Sequence, residues 1–261
     1  MRSIGFIGMG NMAQALAAGF IDSGLVRGED IFAYAPHQNK LRANAKRLGF
    51  TPVSSLVELL TSGEIIIMAC KPYQIEGVLS EIKEKLSGKT LISIAAGWNY
   101  EKYHKILNDI PVRIQFVMPN TPAMVGEGVI LFEEANSLEA SEREEMIKLF
   151  SSVGLVEELP SNLMGIGGAV AGCAPAFVDM FMEAYADAAV KYGMPRQTAY
   201  RIIAQMVSGS GKLAAETGEH PGVLKDNVCS PGGTTICGVA ALEESGFRGA
   251  CIRSVDAIMN K

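Results

Sequence analysis

The chain has 261 residues, of which 48% are hydrophobic and 20% charged; this is typical of one or two globular domains and excludes a disordered chain. A net charge of −5 without any basic cluster argues against a nucleic acid as partner, so we expect a small-molecule substrate. Five scattered cysteines without a C-x-x-C pair predict reduced thiols, and three histidines without suitably spaced partner ligands predict no metal site.

The N-terminal segment has two interpretations. Arg2, an apolar run and the triplet Ala15-Leu16-Ala17 superficially resemble a signal peptide. Glycines at positions 5, 8, 10 and 19 fit a strand, tight turn and helix better. No stretch is convincing as a membrane span, and the scattered reduced cysteines fit the cytoplasm, so we expect a cytoplasmic protein without membrane contacts.

The segment "IGFIGMGNMA" carries the pattern Gly8-x-Gly10-x-x-Ala13 between a predicted strand and a predicted helix. Such a pattern permits a tight turn at Gly8, close approach of a pyrophosphate at Gly10 and close helix packing at Ala13. A second strand ends at "YAPH", about 25 residues further on, as dinucleotide-binding folds require. The segment therefore predicts a dinucleotide site.

Short β-branched runs alternate with helical patterns as far as residue 158, which predicts βαβ units and a parallel sheet covered on both faces. From residue 161 onward only helical stretches follow, chiefly 174–192 and 195–217. We therefore expect an α/β domain over 1–160 and an all-α domain over 161–261. The strand candidates are "SIGFIG", "DIFAYA", "EIIIMAC", "TLISIAA", "VRIQFVM" and "GVILFEE".

The predicted helix 174–192 places Asp179, Glu183 and Asp187 on one face, which we interpret as a solvated stripe. Apolar residues such as Phe177 and Phe181 line much of its remaining surface. A small domain cannot cover so much apolar surface by itself, so the helix predicts burial across a dimer interface.

The end of the second strand, "AYAPHQNK", carries no Asp or Glu. NAD enzymes usually bind the ribose 2′-hydroxyl with a carboxylate at this position. The segment favours NADPH, with NADH still possible, although its polar residues are also ordinary for the first turn of an exposed helix.

Two further strand exits, "ACKP" (69–72) and "MPNTP" (118–122), are stiffened by proline and lie where the sheet should meet the cofactor. Lys71 supplies a polar group to the first, although it is equally a solvated lysine. Asn120, held between two prolines, is expected to recognise the nicotinamide carboxamide.

The stretch "NVCSPGGTTICGV" (227–239) contains almost no ionisable group. In one interpretation Ser230 caps a helix and Pro231 takes its first position. Two glycines cost helix stability, however, and free N–H groups at a helix start beside two hydroxyls form an anion site. We favour the anion site.

These motifs, in this order and spacing, together with "SIAAG" (93–97), "HPGVLKDNVCSPGGTTI" and "GFRGA" (246–250), closely resemble the pyrroline-5-carboxylate reductase family over essentially the whole chain. The resemblance implies a Rossmann dinucleotide-binding domain followed by an all-α dimerisation domain, with dimers commonly assembled into a decamer of five dimers. It also implies NAD(P)H-dependent reduction of 1-pyrroline-5-carboxylate to L-proline, in the last step of proline biosynthesis.

Site residues follow from the motifs and the resemblance. The substrate carboxylate is expected at Ser230, Gly232, Gly233 and Thr234, and the ring nitrogen at the hydroxyl of Thr235, the one catalytic candidate. A reaction that delivers a hydride to a protonated imine needs little further acid–base apparatus. The expected cofactor residues are Gly8, Met9, Gly10, Asn11, Met12, Ala35, Pro36, His37, Ala69, Cys70, Lys71, Pro72, Ala95, Ala96, Gly97, Asn120 and Asn227.

One segment departs from the family pattern. Residues 171–175 read Ala-Gly-Cys-Ala-Pro, where members usually have Ser-Gly-Ser-Gly-Pro or a close variant. This departure leaves open a related cyclic imine carboxylate as substrate.

Two other classes of protein compete with this assignment. A β-hydroxyacid dehydrogenase would need a catalytic lysine early on the long helix, but residues 149–190 contain no Lys, Arg or His. A non-catalytic nucleotide sensor predicts a damaged substrate loop, whereas the loop is intact.

Overall fold

One eight-stranded sheet organises the N-terminal part of the computed structural model, which describes residues 2–261. All six predicted strands are present, and two more, β3 and β8, were not predicted. The strands are β1 (Ile4–Ile7), β2 (Ile31–Tyr34), β3 (Thr51–Pro52), β4 (Ile65–Met68), β5 (Thr90–Ser93), β6 (Arg113–Pro119), β7 (Gly128–Asn136) and β8 (Gly154–Leu159).

The sheet order is β3-β2-β1-β4-β5-β6-β7-β8. The first six strands in this order pair in parallel, but β7 runs antiparallel to β6, so the prediction of a wholly parallel sheet was wrong at this point. Only the short 3₁₀ turn Thr121–Val125 joins β6 to β7. So short a connection suits antiparallel strands, since parallel neighbours need a long crossover.

The two halves of the sheet extend in opposite directions from the β1–β4 pair. In an open α/β sheet, the crevice outside the carboxyl ends of the strands at such a switch point is where ligands bind. The loops after Ile7 and Met68 therefore border the expected binding crevice.

Helices cover both faces of the sheet, and neighbouring residues of β1 show this directly. Phe6 belongs to one buried cluster, with Leu16 and Phe150, whereas Ile7 belongs to another, with Leu79. The helices are α1 (Asn11–Asp22), α2 (Gln38–Leu48), α3 (Leu56–Ser62), α4 (Ile75–Ile82), α5 (Tyr100–Leu107), α6 (Ala140–Ser151) and α7 (Met164–Gly167).

The chain forms two compact units, of which the first ends at Gly172 and the second runs from Cys173 to Lys261. The predicted boundary near residue 160 lies earlier in the chain. Met164 is buried against Phe116 and Leu131. A side chain at Gly167 would lie 2.7 Å from the Cδ1 atoms of Leu131 and Leu159. Residues 161–172 thus pack on the sheet-containing unit.

The second unit is helical throughout. Its long helices agree closely with the predicted stretches 174–192 and 195–217. Its elements are α8 (Ala174–Lys191), α9 (Arg196–Thr217), α10 (Pro221–Asn227), α11 (Thr234–Glu244) and α12 (Phe247–Met259).

The core of this second unit is small, and much of its apolar surface is exposed. Ala186, Ala199 and Ile203 form its buried cluster. In contrast, the exposed fraction is 68% for Met180 and 63% for Ile252. The stripe of acids on α8 is exposed, as predicted. Taken alone, this unit leaves an apolar surface that needs a partner.

By length and composition alone, the helical run Ser161–Lys191 could cross a membrane, contrary to the expectation that no stretch would. A single such helix is weak grounds for a membrane protein, because helices buried in protein interfaces have the same composition. Carboxylates recur along α8 at Asp179, Glu183 and Asp187, and charges are costly inside a bilayer. We interpret the run as a helix covered by protein.

Candidate active site

The glycine loop between β1 and α1 passes between the ends of two neighbouring strands. Gly8 has φ +97°, and its N–H donates to the carbonyl oxygen of Tyr34 at 2.8 Å. A Cβ at Gly8 would lie 2.8 Å from the carbonyl oxygen of Ala69. Both the backbone conformation and the neighbouring strand exit therefore require glycine here.

Gly10 is different, because nothing in the chain requires it to be glycine. Its φ is −76°, which any residue can adopt, and a Cβ built on it meets no atom within 4 Å. The open space beside Gly10 is where a pyrophosphate approaches the backbone in dinucleotide folds. Ala13 is 1% exposed and packs in the core, as its predicted role requires. The loop thus fits a bound dinucleotide.

A cleft of about 280 Å³ opens at this loop, at the β1–β4 switch point. It brings together nine of the predicted cofactor residues: Gly8, Met9, Gly10, Ala35, Pro36, His37, Ala69, Cys70 and Lys71. They come from the exits of β1, β2 and β4, which are far apart in sequence. The cleft therefore has the position and the lining expected of a dinucleotide site.

Lys40 and Asn44 also line the cleft, although they were not among the predicted site residues. They lie one helical turn apart on α2, with His37 one turn earlier. A spacing of three or four residues places side chains on one helix face, and this signal was available in the sequence. Gln38, in contrast, turns its amide toward the carbonyl oxygens of Ala35 and Val53.

No aspartate or glutamate lines this cleft within the residues that the structure describes. The first turn of α2 is likewise free of acids. The lining therefore presents lysine, histidine and amide groups to a bound anion, with no carboxylate to repel it. Burial raises the pKa of the Cys70 thiol above its ordinary value, so this thiol is neutral at physiological pH.

Other predicted cofactor residues lie outside the lining of the cleft. Asn11 and Met12 begin α1, and Pro72 follows the exit of β4. Ala95, Ala96 and Gly97 form the loop after β5, where Gly97 has φ +74°. Asn227 is the last residue of α10, in the helical unit. Cofactor contacts at all of these residues stay predictions.

The geometry does not support the role predicted for Asn120. Its side-chain oxygen accepts a hydrogen bond from the N–H of Val129 at 2.8 Å, and its Nδ2 donates to the carbonyl oxygen of Ala171 at 3.0 Å. The amide is 5% exposed. It is thus already bonded to the chain at both ends, and it holds the exit of β6 in place.

The "SPGG" segment forms a turn, so the alternative in which Ser230 caps a helix with Pro231 in its first position was wrong. The N–H of Gly233 donates to the carbonyl oxygen of Ser230 at 3.0 Å, and Gly232 has φ +70°. Proline second and a left-handed glycine third are the signature of a type II turn. Helix α11 starts only after this turn, at Thr234.

The turn leaves backbone donors available at the start of α11. Gly233 is the N-cap, with no side-chain cap and no acid in the first turn. Within residues 2–261, the N–H groups of Gly232 and Thr234 make no backbone hydrogen bond, whereas that of Gly233 is used by the turn. A Cβ at Gly233 would collide with Ser230 Oγ, so glycine keeps this hydroxyl close to the backbone.

Family models of known proteins match both the C-terminal and the N-terminal part of the chain. A family model described as pyrroline-5-carboxylate reductase dimerisation matches residues 161–261. A second, described as NADP oxidoreductase coenzyme F420-dependent, matches residues 3–97. The first model covers residues 161–172 and the whole helical unit. The second begins one residue before β1 and includes the glycine loop.

Full-length relatives carry the family assignment. The chain is 41% identical to pyrroline-5-carboxylate reductase of Treponema pallidum, covering 99% of both chains. It is also 41% identical to that of Escherichia coli, covering 100% of this chain and 97% of the relative. A crystal structure of Plasmodium falciparum pyrroline carboxylate reductase with NADP bound superposes with TM-score 0.88 and 33% identity, covering 98% of this chain and 95% of the other. The chain therefore belongs to the pyrroline-5-carboxylate reductase family.

Proposed function

We propose that this protein reduces 1-pyrroline-5-carboxylate to L-proline with NAD(P)H, the last step of proline biosynthesis. The observation that carries the proposal is identity of 41% over essentially the full length to two reductases of this name. The cofactor cleft and the intact substrate loop support it, because one chain then carries both a site for the hydride donor and a site for the substrate carboxylate.

The chemistry requires a hydride for the carbon of the C=N bond and a proton on its nitrogen; the substrate takes this proton from solvent and enters the reaction as the protonated imine. When bound, NAD(P)H supplies this hydride and is left oxidised. The N–H groups of Gly232 and Thr234, with the hydroxyl of Ser230, hold the substrate carboxylate beside the positive end of α11. The hydroxyl of Thr235 bonds the ring nitrogen. The N–H of Gly233 closes the turn by bonding the carbonyl oxygen of Ser230, so Gly233 does not donate to the substrate carboxylate as first expected.

We propose NADPH as the preferred cofactor, with Lys40 binding its 2′-phosphate. Lys40→Met removes one charge from the cleft and is expected to raise the Kd for NADPH about 10-fold, while the Kd for NADH stays unchanged. Lys46→Met is the control, because Lys46 is an exposed lysine on the same helix outside the cleft. Titration by intrinsic fluorescence measures both constants. A lower KM for NADH than for NADPH in the unmodified protein contradicts the preference.

The protein is expected to be at least a dimer, because the helical unit exposes an apolar surface that it cannot cover alone. The family model matched over residues 161–261 is itself described as dimerisation. We propose that five dimers assemble into a decamer, and that the enzyme works in the cytoplasm. Light scattering at micromolar concentration, together with an activity assay, tests the oligomeric state of the active enzyme. An active, monodisperse monomer contradicts the expectation of a dimer.

Absorbance at the NADPH band, followed with 1-pyrroline-5-carboxylate as substrate, tests the proposed reaction. A six-membered cyclic imine carboxylate serves as the alternative substrate, since residues 171–175 depart from the family pattern. Consumption with the five-membered ring and a much lower kcat/KM with the larger ring is the expected result. Well-folded protein that binds NADPH but consumes it with neither ring indicates a nucleotide sensor.

A further inference from the structure

Gln14 is a polar side chain inside an otherwise apolar part of α1, where it is 9% exposed. Its Nε2 donates to the carbonyl oxygen of Met9 at 3.0 Å. Its Oε1 accepts from Nη2 of Arg47, on α2, at 2.6 Å. The amide therefore joins the glycine loop to a second helix that also lines the cofactor cleft.

The bond to Met9 determines where the next N–H points. The carbonyl of Met9 and the N–H of Gly10 belong to one peptide group, and all peptide bonds in the described chain are trans. In a planar trans peptide these two groups point in opposite directions. Drawing the carbonyl toward Gln14 thus turns the N–H of Gly10 away from the helix. This N–H makes no backbone hydrogen bond within residues 2–261, and Gly10 lines the cleft.

Arg47 determines which end of the amide faces the loop. A guanidinium can only donate, so it holds the oxygen end of Gln14 and leaves the NH₂ end for the carbonyl of Met9. Without Arg47, the amide can turn over and place its oxygen against that carbonyl, an arrangement that disfavours the observed peptide orientation. The guanidinium charge also polarises the amide and strengthens its second bond.

We propose that Gln14 and Arg47 are positioning residues that hold the Met9–Gly10 peptide with its N–H directed into the cofactor cleft, where it binds the pyrophosphate of the dinucleotide. The inference rests on the proposed function, because it concerns affinity for that cofactor. Because NADH and NADPH share the pyrophosphate, both must be affected equally. Replacement of Lys40, which is proposed to bind the 2′-phosphate, should in contrast change the Kd for NADPH alone.

The test replaces Gln14 by methionine, which has a similar shape but cannot make either hydrogen bond. Gln14→Met is expected to raise the Kd for NADPH and for NADH by the same factor, about 5-fold, and the KM for NADPH likewise, with kcat unchanged. Gln115→Met is the matched control. The Nε2 of Gln115 donates to the carbonyl oxygens of Phe116 and Glu133, and Gln115 lies outside the cleft. It should lower the melting temperature without changing either Kd.

A second pair of variants keeps the proposal testable if Gln14→Met does not fold. Arg47→Met and Lys46→Met each remove one charge from an exposed position on α2, but only Arg47 bonds Gln14. Arg47→Met is expected to weaken binding of both cofactors about 3-fold relative to Lys46→Met. Equal Kd values for the two variants, or an unchanged Kd in folded Gln14→Met, overturn the inference. Unmodified protein that binds neither cofactor overturns the proposed function as well.

Discussion

Thr235→Val is expected to lower kcat/KM for 1-pyrroline-5-carboxylate about 10- to 100-fold. The variant keeps the volume and β-branching of threonine and removes only the hydroxyl. A hydrogen bond to a charged group is worth about 1.5–3 kcal/mol, and this one acts on the protonated imine nitrogen, which loses its positive charge as the hydride arrives. Thr235 lies in the first turn of α11, where it is exposed, so the fold should survive. The Kd for NADPH should hardly change.

Steady-state kinetics and a thermal melt on the same variant separate catalysis from structure. Thr217→Val is the control, because Thr217 is an exposed threonine of the same unit whose hydroxyl bonds only the backbone of its own helix end. It should change the melting temperature slightly and leave kcat/KM unchanged. If Thr235→Val behaves in the same way, its hydroxyl is structural and the assignment is wrong.

Gly10→Ala is expected to raise the Kd for NADPH about 10- to 100-fold without lowering the melting temperature. The alanine methyl group fits the apo chain, since it meets no atom within 4 Å. It occupies the space that the pyrophosphate needs, so its cost falls on the complex alone. Isothermal titration calorimetry with NADPH, combined with a melt of the apo protein, measures the two effects separately.

Two other glycines provide controls for this variant. Gly77→Ala also adds a methyl group in open space, but in the middle of helix α4, so it should stabilise the protein slightly and leave the Kd unchanged. Gly8→Ala forces a methyl group against the backbone of Ala69 at a left-handed φ, so it should lower the melting temperature itself. An unchanged Kd for Gly10→Ala contradicts the assignment of the glycine loop to the pyrophosphate.

The central part of the fold was predictable because its strands are buried on both faces. All four residues of β1 and of β4 are buried, and such runs have a clear hydrophobic signature. Strand β8 lacks this signature, because it lies at the edge of the sheet and exposes 62% of Leu155. The antiparallel direction of β7 depends on a short turn, which local patterns of hydrophobicity do not reveal.

The lining of the proposed cofactor cleft was predictable where it depends on backbone conformation, and less so where it depends on which side chains bond one another. The glycine pattern indicated both Gly8, which its backbone conformation and the nearby Ala69 require, and Gly10, where only the proposed pyrophosphate needs the space. The amide of Asn120 was assigned to the cofactor because its partners, at positions 129 and 171, are distant in the sequence. Gln14 was overlooked for the same reason, since its partner Arg47 lies on another helix.

Transfer of deuterium from NADPH to product tests directly whether the protein reduces 1-pyrroline-5-carboxylate to proline. The unmodified protein is incubated with 1-pyrroline-5-carboxylate and NADPH that carries deuterium at both positions of the hydride-donating carbon, and the product is analysed by mass spectrometry. We expect L-proline with one deuterium, located on the carbon of the former C=N bond, and one oxidised cofactor per proline. Oxidation of the cofactor without labelled proline, or no turnover by protein that binds both ligands, contradicts it.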